Sequence, residues 1–287
     1  MSIKEGTFEA RVTGGVLRGS VRGDGVEVLC LHGGPGLEWT YLQPVVDELS
    51  DGYRVATYQQ RGLAPSTAGP PYDVPTQVGD VTAVLDVLGW DQAVVLGHSW
   101  GGHLLLHLLA AHPDRLSGAL VVDPLGAVGD GCLAEFEATI LARTPPADAQ
   151  RAEELDRQAL AGEGTEADAA ESLRLFWPAY FADRAAAPPM PVIKMSVEAY
   201  AATYESMTSE LPGLAARLEG APCRPSSCTV GRVRCPSPPR RTQRTPPAPP
   251  RTCRWWTGQG TSSGWNSPAA SKGALDRLVK DRLTLGS

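Results

Sequence analysis

The segment of this sequence most able to do chemistry is a serine flanked by glycines. The run GHSWG at residues 97–101 follows an apolar stretch and opens a helical pattern at residues 100–111. A strand that turns sharply on a serine and continues as a helix exposes the hydroxyl at the carboxyl end of a sheet. The helix also directs its backbone N–H groups and the positive end of its dipole toward an oxyanion. This pattern predicts that Ser99 is a nucleophile in acyl transfer.

A second loop is placed to assist the serine. An apolar run at residues 26–31 predicts a buried strand, and it ends in the sequence HGGPG at residues 32–36. A glycine-rich loop at the carboxyl end of a strand can place a backbone N–H beside the nucleophile. The pairing of HGGPG with GHSWGG resembles the α/β-hydrolase superfamily, and within it the proline iminopeptidase-like group. The sequence YQQRG at residues 58–62 is similar to the YDQRG of that group, with Gln59 in place of the aspartate.

This resemblance covers roughly residues 7–221 and implies a function. It implies a serine hydrolase that acts on an N-terminal peptide, amide or ester bond, as an aminopeptidase of proline iminopeptidase type or as an esterase. By position, Ser99 is the nucleophile, and the N–H groups of Gly34 and Trp100 form the oxyanion hole. His32 has a structural role in such loops. We expect a small-molecule or short peptide substrate and no cofactor.

The acid of a catalytic triad is expected after the nucleophile in this fold. Asp123 follows the apolar run at residues 116–122, where a carboxylate would lie just past a strand end. No acidic residue occupies the later position that is usual for the superfamily, which favours Asp123. The alternative is that Asp123 only caps a turn before Pro124.

The elements around these residues predict an α/β fold. Short apolar strands alternate with helical patterns over the first 125 residues, which is typical of a doubly wound, mostly parallel sheet covered on both faces. We therefore assign residues 1–128 to a hydrolase core with the nucleophile at residues 97–101. Active sites in such sheets lie at the carboxyl ends of the strands, where His32, Ser99 and Asp123 all fall.

The composition changes at residues 129–212, which are rich in Ala, Glu and Arg and have apolar residues at helical spacing. This stretch resembles the helical cap that hydrolases of this superfamily place over the site. Aromatic residues including Trp177 and Tyr180 would line an apolar pocket or form the small core of the cap itself. Glu198 and Glu205 would meet a substrate amino group, or they are solvated charges on a helix. We assign Trp177, Tyr180 and Glu205 to substrate binding.

The remaining segment, residues 213–287, should complete the core but is anomalous. No Asp or Glu lies between Glu219 and Asp276, whereas eight arginines and four of the six cysteines do. The chain has five histidines, and the last is His112, so no histidine lies near the carboxyl end where this fold has its base. A serine without a base is a poor nucleophile at neutral pH. We therefore expect the activity of this chain to be impaired.

Translation out of frame explains this anomaly. With GC-rich codons, reading two bases later turns residues 223–231 into Pro-Ser-Leu-Val-Val-His-Gly-Gly, a plausible strand and turn. The same shift turns residues 259–266 into Ala-Gly-His-Phe-Val-Trp-Leu-Glu, which resembles the catalytic-histidine loop of the superfamily. We therefore predict that residues 222–270 are frameshifted, and that they form irregular backbone beside a sheet that ends early. A helical apolar pattern resumes after residue 271.

A genuine basic segment is the alternative, since Arg- and Pro-rich stretches are often disordered or bind phosphates. The protein would then be a catalytically inactive, hydrolase-like binding protein with an interaction segment.

Composition bounds the other functions. The chain of 287 residues has a net charge of −6, which gives no reason to expect nucleic acid or an anionic membrane as a partner. No apolar run approaches 18 residues and no secretion signal is evident, so we expect a cytoplasmic protein. The cysteine spacing matches no compact metal site. His103 and His107 share a helix face but lack a third ligand, which favours packing over metal binding. The sequence does not indicate an oligomeric state.

Overall fold

A computed structural model describes residues 5–126, 133–181, 183–220, 228–231, 254–256, 272–273 and 275–276. The described strands are, in chain order, β1 (Gly6–Val12), β2 (Gly15–Arg22), β3 (Val26–Leu31), β4 (Tyr53–Gln59), β5 (Ala93–His98), β6 (Leu116–Val122), β7 (Cys228–Gly231) and β8 (Arg254–Trp256). The described α-helices are α1 (Gln43–Leu49), α2 (Val74–Leu88), α3 (Trp100–Ala111), α4 (Leu133–Arg143), α5 (Pro146–Leu160), α6 (Glu166–Phe176) and α7 (Val197–Gly220).

The strands form one sheet in the order β1-β2-β4-β3-β5-β6-β7-β8. β1 and β2 pair antiparallel, and β2 pairs antiparallel with β4, whereas the pairs from β4 through β3 to β8 are parallel. The predicted fold class, a mostly parallel α/β sheet with helices, is confirmed. The carboxyl ends of β3, β5 and β6 meet at one edge of this sheet, which places the loops that follow them side by side.

Alternation along the central strands divides the core into two layers. In β3, Leu29 and Leu31 join the cluster that contains α2 and α3, whereas Val28 and Cys30 join the cluster that contains α1. A pleated strand imposes this alternation. Both faces of β3 are buried because helices cover both faces of the sheet. The continuous apolar run at residues 26–31 follows from that double burial.

Helix α2 shows how local signals set the boundaries. It begins at Asp73, whose side chain accepts a hydrogen bond from the backbone N–H of Thr76 at 2.8 Å. It ends at Gly89, which adopts the left-handed conformation with φ of 71°. Glycine takes this conformation without a steric penalty, so a glycine just past the last apolar position ends the helix.

The helical spacing predicted over residues 129–212 corresponds to α4, α5 and α6, followed by α7. The first three share a small apolar core that includes Ile140, Ala152 and Phe176. Phe176 therefore belongs to the interior between these three helices. Helix α7 carries Glu198 and Glu205, and it continues through Pro212, the position at which we placed the end of the proposed cap.

The prediction that the sheet ends early is wrong. β7 pairs in parallel with β6, and β8 pairs in parallel with β7, although both strands lie within residues 222–270. The rest of that range lies outside the described residues. Beyond it, Leu275 is fully buried against the α1 layer, and Tyr53 Oη donates a hydrogen bond to Asp276 at 2.5 Å.

Within the described part of the chain, no helix is both long enough and apolar enough to cross a bilayer.

Candidate active site

Ser99 occupies a strained turn between β5 and α3. Its φ of 52° and ψ of −120° lie outside the regions that L-residues favour. The backbone on both sides holds this conformation. Ser99 N–H donates to the carbonyl of Val122 at 3.0 Å, and Ser99 C=O accepts from the N–H groups of His103 at 3.0 Å and Leu125 at 3.1 Å. The turn therefore presents a serine hydroxyl at the carboxyl edge of the sheet.

The two glycines of the GHSWG sequence are required by close approach. A Cβ atom at Gly97 would collide with the carbonyl of Gly101. A Cβ atom at Gly101 would collide with the carbonyls of Leu31 and His32 at the end of β3. The helix can therefore start directly after Ser99 and lie against the neighbouring loop only because neither position carries a side chain.

The loop at residues 33–38 lies directly against the serine. A Cβ atom at Gly33 would lie 2.8 Å from the Cβ of Ser99 and 2.8 Å from the hydroxyl oxygen of Tyr41. Gly34 has a φ of 58°, and its carbonyl accepts from Leu37 N–H at 3.2 Å, which closes a tight turn. The backbone at Gly33 thus lies against Ser99, directly before the start of α3, where the first N–H groups have no partner within the helix.

Tyr41 connects this loop to the strand of the nucleophile. The Gly33 N–H donates a hydrogen bond to the Tyr41 hydroxyl oxygen. That hydroxyl lies 2.8 Å from Nδ1 of His98, the residue before Ser99. Burial raises the pKa of Tyr41 far above its usual value, so the hydroxyl stays protonated. A tyrosine nine residues after His32 carried no sequence signal for this role.

His32 and Gln60 link the loop to α3. The Gln60 N–H donates to Nε2 of His32 at 3.1 Å, so the proton of the neutral ring is on Nδ1, which donates to the carbonyl of Gly33 at 3.0 Å. Gln60 also donates to the His32 carbonyl at 2.9 Å and accepts from Nε1 of Trp100 at 2.9 Å. Burial lowers the pKa of His32 to about 4. Both ring nitrogens of His32 are therefore occupied in positioning the backbone.

Gln59 uses both ends of its amide. Its Oε1 accepts from Trp39 N–H at 3.1 Å, and its Nε2 donates to the carbonyl of Leu37 at 3.0 Å. An ionised aspartate at this position could only accept hydrogen bonds. The departure from YDQRG therefore leaves a side chain that braces the loop in both directions.

Asp123 directly follows β6, as Ser99 directly follows β5. The last residues of these neighbouring strands, His98 and Val122, pair in the sheet. Asp123 adopts a φ of 41°, and it is the other described residue besides Ser99 that has a positive φ without being glycine. The turn at residues 123–126 begins with Asp123, is partly exposed and passes over the start of α3. The structure thus brings Asp123 and Ser99 to the same edge of the sheet, where Ser99 N–H donates to the carbonyl of Val122, the residue before Asp123.

Of the other histidines, His98 lies at this edge directly before Ser99, whereas the rest lie inside the core or at the far end of α3. His103 and His107 are buried in α3, and burial is the main cause that lowers their pKa values to about 4 and about 3. Burial also lowers the pKa of His98 to about 3. His112 is exposed at the far end of α3. Among the described residues, no group of three side chains is arranged to hold a metal ion.

The cap residues assigned from the sequence occupy different environments. Trp177 donates through Nε1 to the carbonyl of Pro188 at 2.8 Å, and Tyr180 is half exposed beside Trp177 and Phe136. Glu205 is exposed on α7.

Sequence reasoning missed a group of polar and aromatic side chains, which we call the acidic tyrosine cluster: Tyr200, Tyr204, Glu137 and Asp156. Tyr204 Oη donates to Glu137 at 2.8 Å, and the rings of Tyr200 and Tyr204 are 6.0 Å apart. Asp156 accepts from Ser172 Oγ at 2.5 Å, and burial raises its pKa. Two tyrosines spaced by four residues on a helix are the signal that would have found part of it.

The last helix of the cap region is tied to the loop beside Ser99. Ser196 N–H donates to the carbonyl of Gly36 at 2.8 Å, and Glu38 N–H donates to the carbonyl of Lys194 at 3.1 Å. Leu37 and Met195 form an antiparallel bridge between these bonds. The acidic tyrosine cluster therefore begins one turn beyond a backbone connection to the loop of Gly34.

Comparison with known proteins agrees with this geometry. A family model described as "alpha/beta hydrolase fold" matches residues 27–203, which is more than half of the chain. The candidate carbamate hydrolase RutD of Caulobacter segnis is 36% identical over 102 residues, which are 34% of this chain and 38% of that protein. Epoxide hydrolase B of Mycobacterium tuberculosis is 35% identical over 96 residues, which are 32% of this chain and 27% of that protein. The chain thus matches only about a third of the length of these relatives.

Among solved structures, a carboxylesterase of the ammonia-oxidizing thaumarchaeon Nitrososphaera gargenis superposes with a TM-score of 0.52. It is 16% identical, and the match covers 77% of this chain and 78% of that one. At this identity the similarity shows a shared fold and no shared substrate.

Proposed function

The chain belongs to the α/β-hydrolase family, and on that premise we propose that it is a serine hydrolase whose nucleophile is Ser99. Its substrate carries an ester, amide or N-terminal peptide bond. The observation that carries the proposal is the conformation of Ser99 at the start of α3, with the backbone of Gly33 against its side chain. Strain of this kind persists where the surrounding structure fixes it, and it is concentrated at active sites.

The proposed reaction follows from this arrangement. Ser99 Oγ attacks the carbonyl carbon of the substrate and loses its proton to a base, while the carbonyl oxygen becomes an oxyanion. The N–H groups of Trp100 and Gly34 stabilise the oxyanion, which is usually the largest single contribution to such catalysis. The leaving group then departs with a proton, and water hydrolyses the acyl-enzyme to release the acid. Asp123 would orient the base and stabilise its charged form.

The base is the part that this chain lacks in its usual place. His32 uses both ring nitrogens in the loop network, and His103 and His107 are buried in the core. No histidine follows His112 in the sequence. General base catalysis typically contributes 10²–10⁴-fold to the rate. We therefore propose that Ser99 of this chain is correctly positioned but reacts slowly.

A substrate with an amino group is favoured by the acidic tyrosine cluster. Its carboxylates and aromatic faces attract a cation, and α7 connects it to the loop of Gly34 through Gly36. This supports the aminopeptidase assignment over an esterase of apolar acids. The carboxylates of this assignment are Glu137 and Asp156, in addition to the exposed Glu205 that the resemblance suggested.

Labelling with a fluorophosphonate probe tests the proposal. We expect slow, stoichiometric labelling that S99A abolishes. Added imidazole should accelerate it at least tenfold, because a diffusible base replaces the missing histidine. Labelling that survives in S99A would overturn the assignment of the nucleophile. Labelling at the rate of ordinary serine hydrolases without imidazole would overturn the missing-base argument. No labelling even with imidazole would favour the hydrolase-like binding protein.

A further inference from the structure

A chain of polar side chains crosses the core behind the active site. His103 and His107 lie one turn apart on α3, and their Nε2 atoms are 3.0 Å from each other. Nδ1 of His103 bonds the carbonyl of Gly126, and Nδ1 of His107 lies 3.5 Å from a guanidinium nitrogen of Arg217 on α7. Both histidines are buried. The mechanism proposed above does not use either ring.

The partners fix the position of every proton in this chain. The Gly126 carbonyl can only accept, so Nδ1 of His103 carries the proton and its Nε2 accepts. The proton between the rings therefore belongs to Nε2 of His107, which leaves Nδ1 of His107 to accept from Arg217. An arginine can only donate. Hydrogen bonds thus run in one direction, from Arg217 through His107 and His103 to Gly126.

The end of this chain lies on the turn that carries Asp123. Pro124 lies against Gly102, since a Cβ atom at Gly102 would be 3.2 Å from the Cβ of the proline ring. Leu125 N–H donates to the carbonyl of Ser99 at 3.1 Å, and His103 donates to Gly126. Both Asp123 and Gly126 have positive φ, with values of 41° and 55°. Of these hydrogen bonds, the one from His103 is made by a side chain. It holds Gly126, the end of the turn, whose first residue, Asp123, has the strained positive φ.

We propose that His103 is a positioning residue that holds the Asp123–Gly126 turn against α3, with its Nδ1 proton directed to Gly126 and its Nε2 accepting from His107. The link to catalysis rests on the proposed role of Asp123. Arg217, at the other end of the chain of side chains, is itself paired with Glu210 at 2.9 Å on the same helix.

Nitrogen NMR of the full chain with ¹⁵N-labelled histidine tests the tautomers without any need for turnover. At pH 7.5 we expect His103 as the Nδ1–H form and His107 as the Nε2–H form, each without averaging. R217A leaves the Gly126 carbonyl in place, so both tautomers should be unchanged in this variant. His103 found as the Nε2–H form in either protein would overturn the proposal.

A matched pair of variants tests positioning. Asparagine can present its amide N–H near the place of Nδ1, whereas leucine cannot donate. We expect H103L to slow labelling of Ser99 by the probe, in the presence of imidazole, at least fivefold relative to H103N. The amide of Leu125 should exchange with solvent at least tenfold faster in H103L than in H103N. Equal exchange in the two variants would overturn the proposal, whether or not the probe reacts.

The two proposals fail separately in these experiments. Labelling that persists in S99A removes the role of Ser99 but leaves the tautomer and exchange results standing. Equal labelling of H103L and H103N, with the expected difference in Leu125 exchange, would show that His103 holds the turn without affecting the nucleophile, and would overturn its role in catalysis.

Discussion

The Cβ atom that Gly33 lacks would lie 2.8 Å from the Cβ of Ser99. Real Cβ atoms do not approach other atoms so closely, so a side chain at residue 33 must displace the serine, the loop or Tyr41. The absence of one methyl group thus sets the distance between the loop at residues 33–38 and Ser99.

We therefore expect G33A to reduce the labelling rate of Ser99 at least tenfold, because an oxyanion donor must lie about 3 Å from the oxygen it stabilises. The matched control is G79A, inside α2, where a Cβ atom meets nothing within 4 Å. It should leave labelling unchanged and stabilise the protein by about 0.5–1 kcal/mol in urea unfolding. Equal labelling rates in the two variants would contradict the close contact.

Arg61 and Asp80 form a buried ion pair that should contribute strongly to the free energy of unfolding. Arg61 Nε and Nη2 donate to the two carboxylate oxygens of Asp80 at 2.7 and 2.6 Å, and both side chains are almost fully buried. Removing one partner leaves a buried charge unpaired, so D80N should cost about 3–5 kcal/mol in urea unfolding. The control E154Q breaks the exposed pair with Arg157 and should cost under about 1 kcal/mol. A cost of D80N similar to that of E154Q would refute the burial argument.

Acid should destabilise the protein through its buried histidines. Burial lowers the pKa of His32 and His103 to about 4 and that of His98 and His107 to about 3. Unfolded histidines have a pKa near 6.5, so between about pH 6.5 and 4 the unfolded chain binds more protons than the folded chain. Stability is therefore highest above this range and falls as pH decreases, by up to about 1.4 kcal/mol per pH unit for each histidine.

Urea unfolding from pH 8 to pH 4 measures this slope. We expect a plateau above about pH 7, and a smaller slope below it in the double variant H103N/H107Q. H112Q, which changes an exposed histidine, should retain the full slope. A profile that is flat between pH 7 and 4, or a slope unchanged in the double variant, would contradict the burial of these rings.

The acidic tyrosine cluster predicts which carboxylate meets a substrate amine. Prolinamide should protect Ser99 from the probe, and E137Q should weaken this protection about tenfold, because the neutral amide loses the attraction for a cation. In E205Q, which changes an exposed carboxylate outside the cluster, prolinamide should protect Ser99 as well as it does in the unchanged chain. The reverse result would return the amine site to Glu205, and equal protection in all three proteins would remove the aminopeptidase assignment.

The coding DNA tests the origin of residues 222–270. We expect the frame two bases downstream to be open over this range and to encode a glycine-histidine loop. The histidine codon would span the last base of Gly260 and the first two bases of Thr261, which are AC, so Gly260 must be encoded by GGC. GGT, GGA or GGG at this position would show that the proposed histidine does not exist, and the segment would then be genuine.

Local sequence patterns were sufficient to predict the sheet and the position of the serine. Buried parallel strands are continuous apolar runs, so the strands could be predicted from the sequence. The glycines at 97 and 101 are required by short-range geometry, so the turn at the serine could also be predicted. The bounds of helix α7 could not be predicted, because Pro212 is usually a helix terminator. The contacts of Tyr41, Gln60 and His103 join residues up to 57 positions apart, and no local pattern specifies them.

The short strand β7 was also missed, for a different reason. Its four residues, Cys228–Gly231, are too few to form a recognisable pattern, and their pairing with β6 is made by main-chain groups. Such groups are present in every sequence, so a sheet edge can accept a strand that composition alone would not predict.

The same property of the main chain has a consequence for how this protein can diversify. The bridge between Leu37 and Met195 and its flanking bonds use only backbone atoms. Substitutions of Leu37 or Met195 therefore leave these hydrogen-bonding groups in place, so the segment before α7 keeps its register with the loop beside Ser99 while its side chains change. Gly36 is the exception, because a Cβ atom there would collide with the carbonyl of Ser196. This junction is thus a natural site for laboratory evolution and for chimaeras that exchange the helices beyond it.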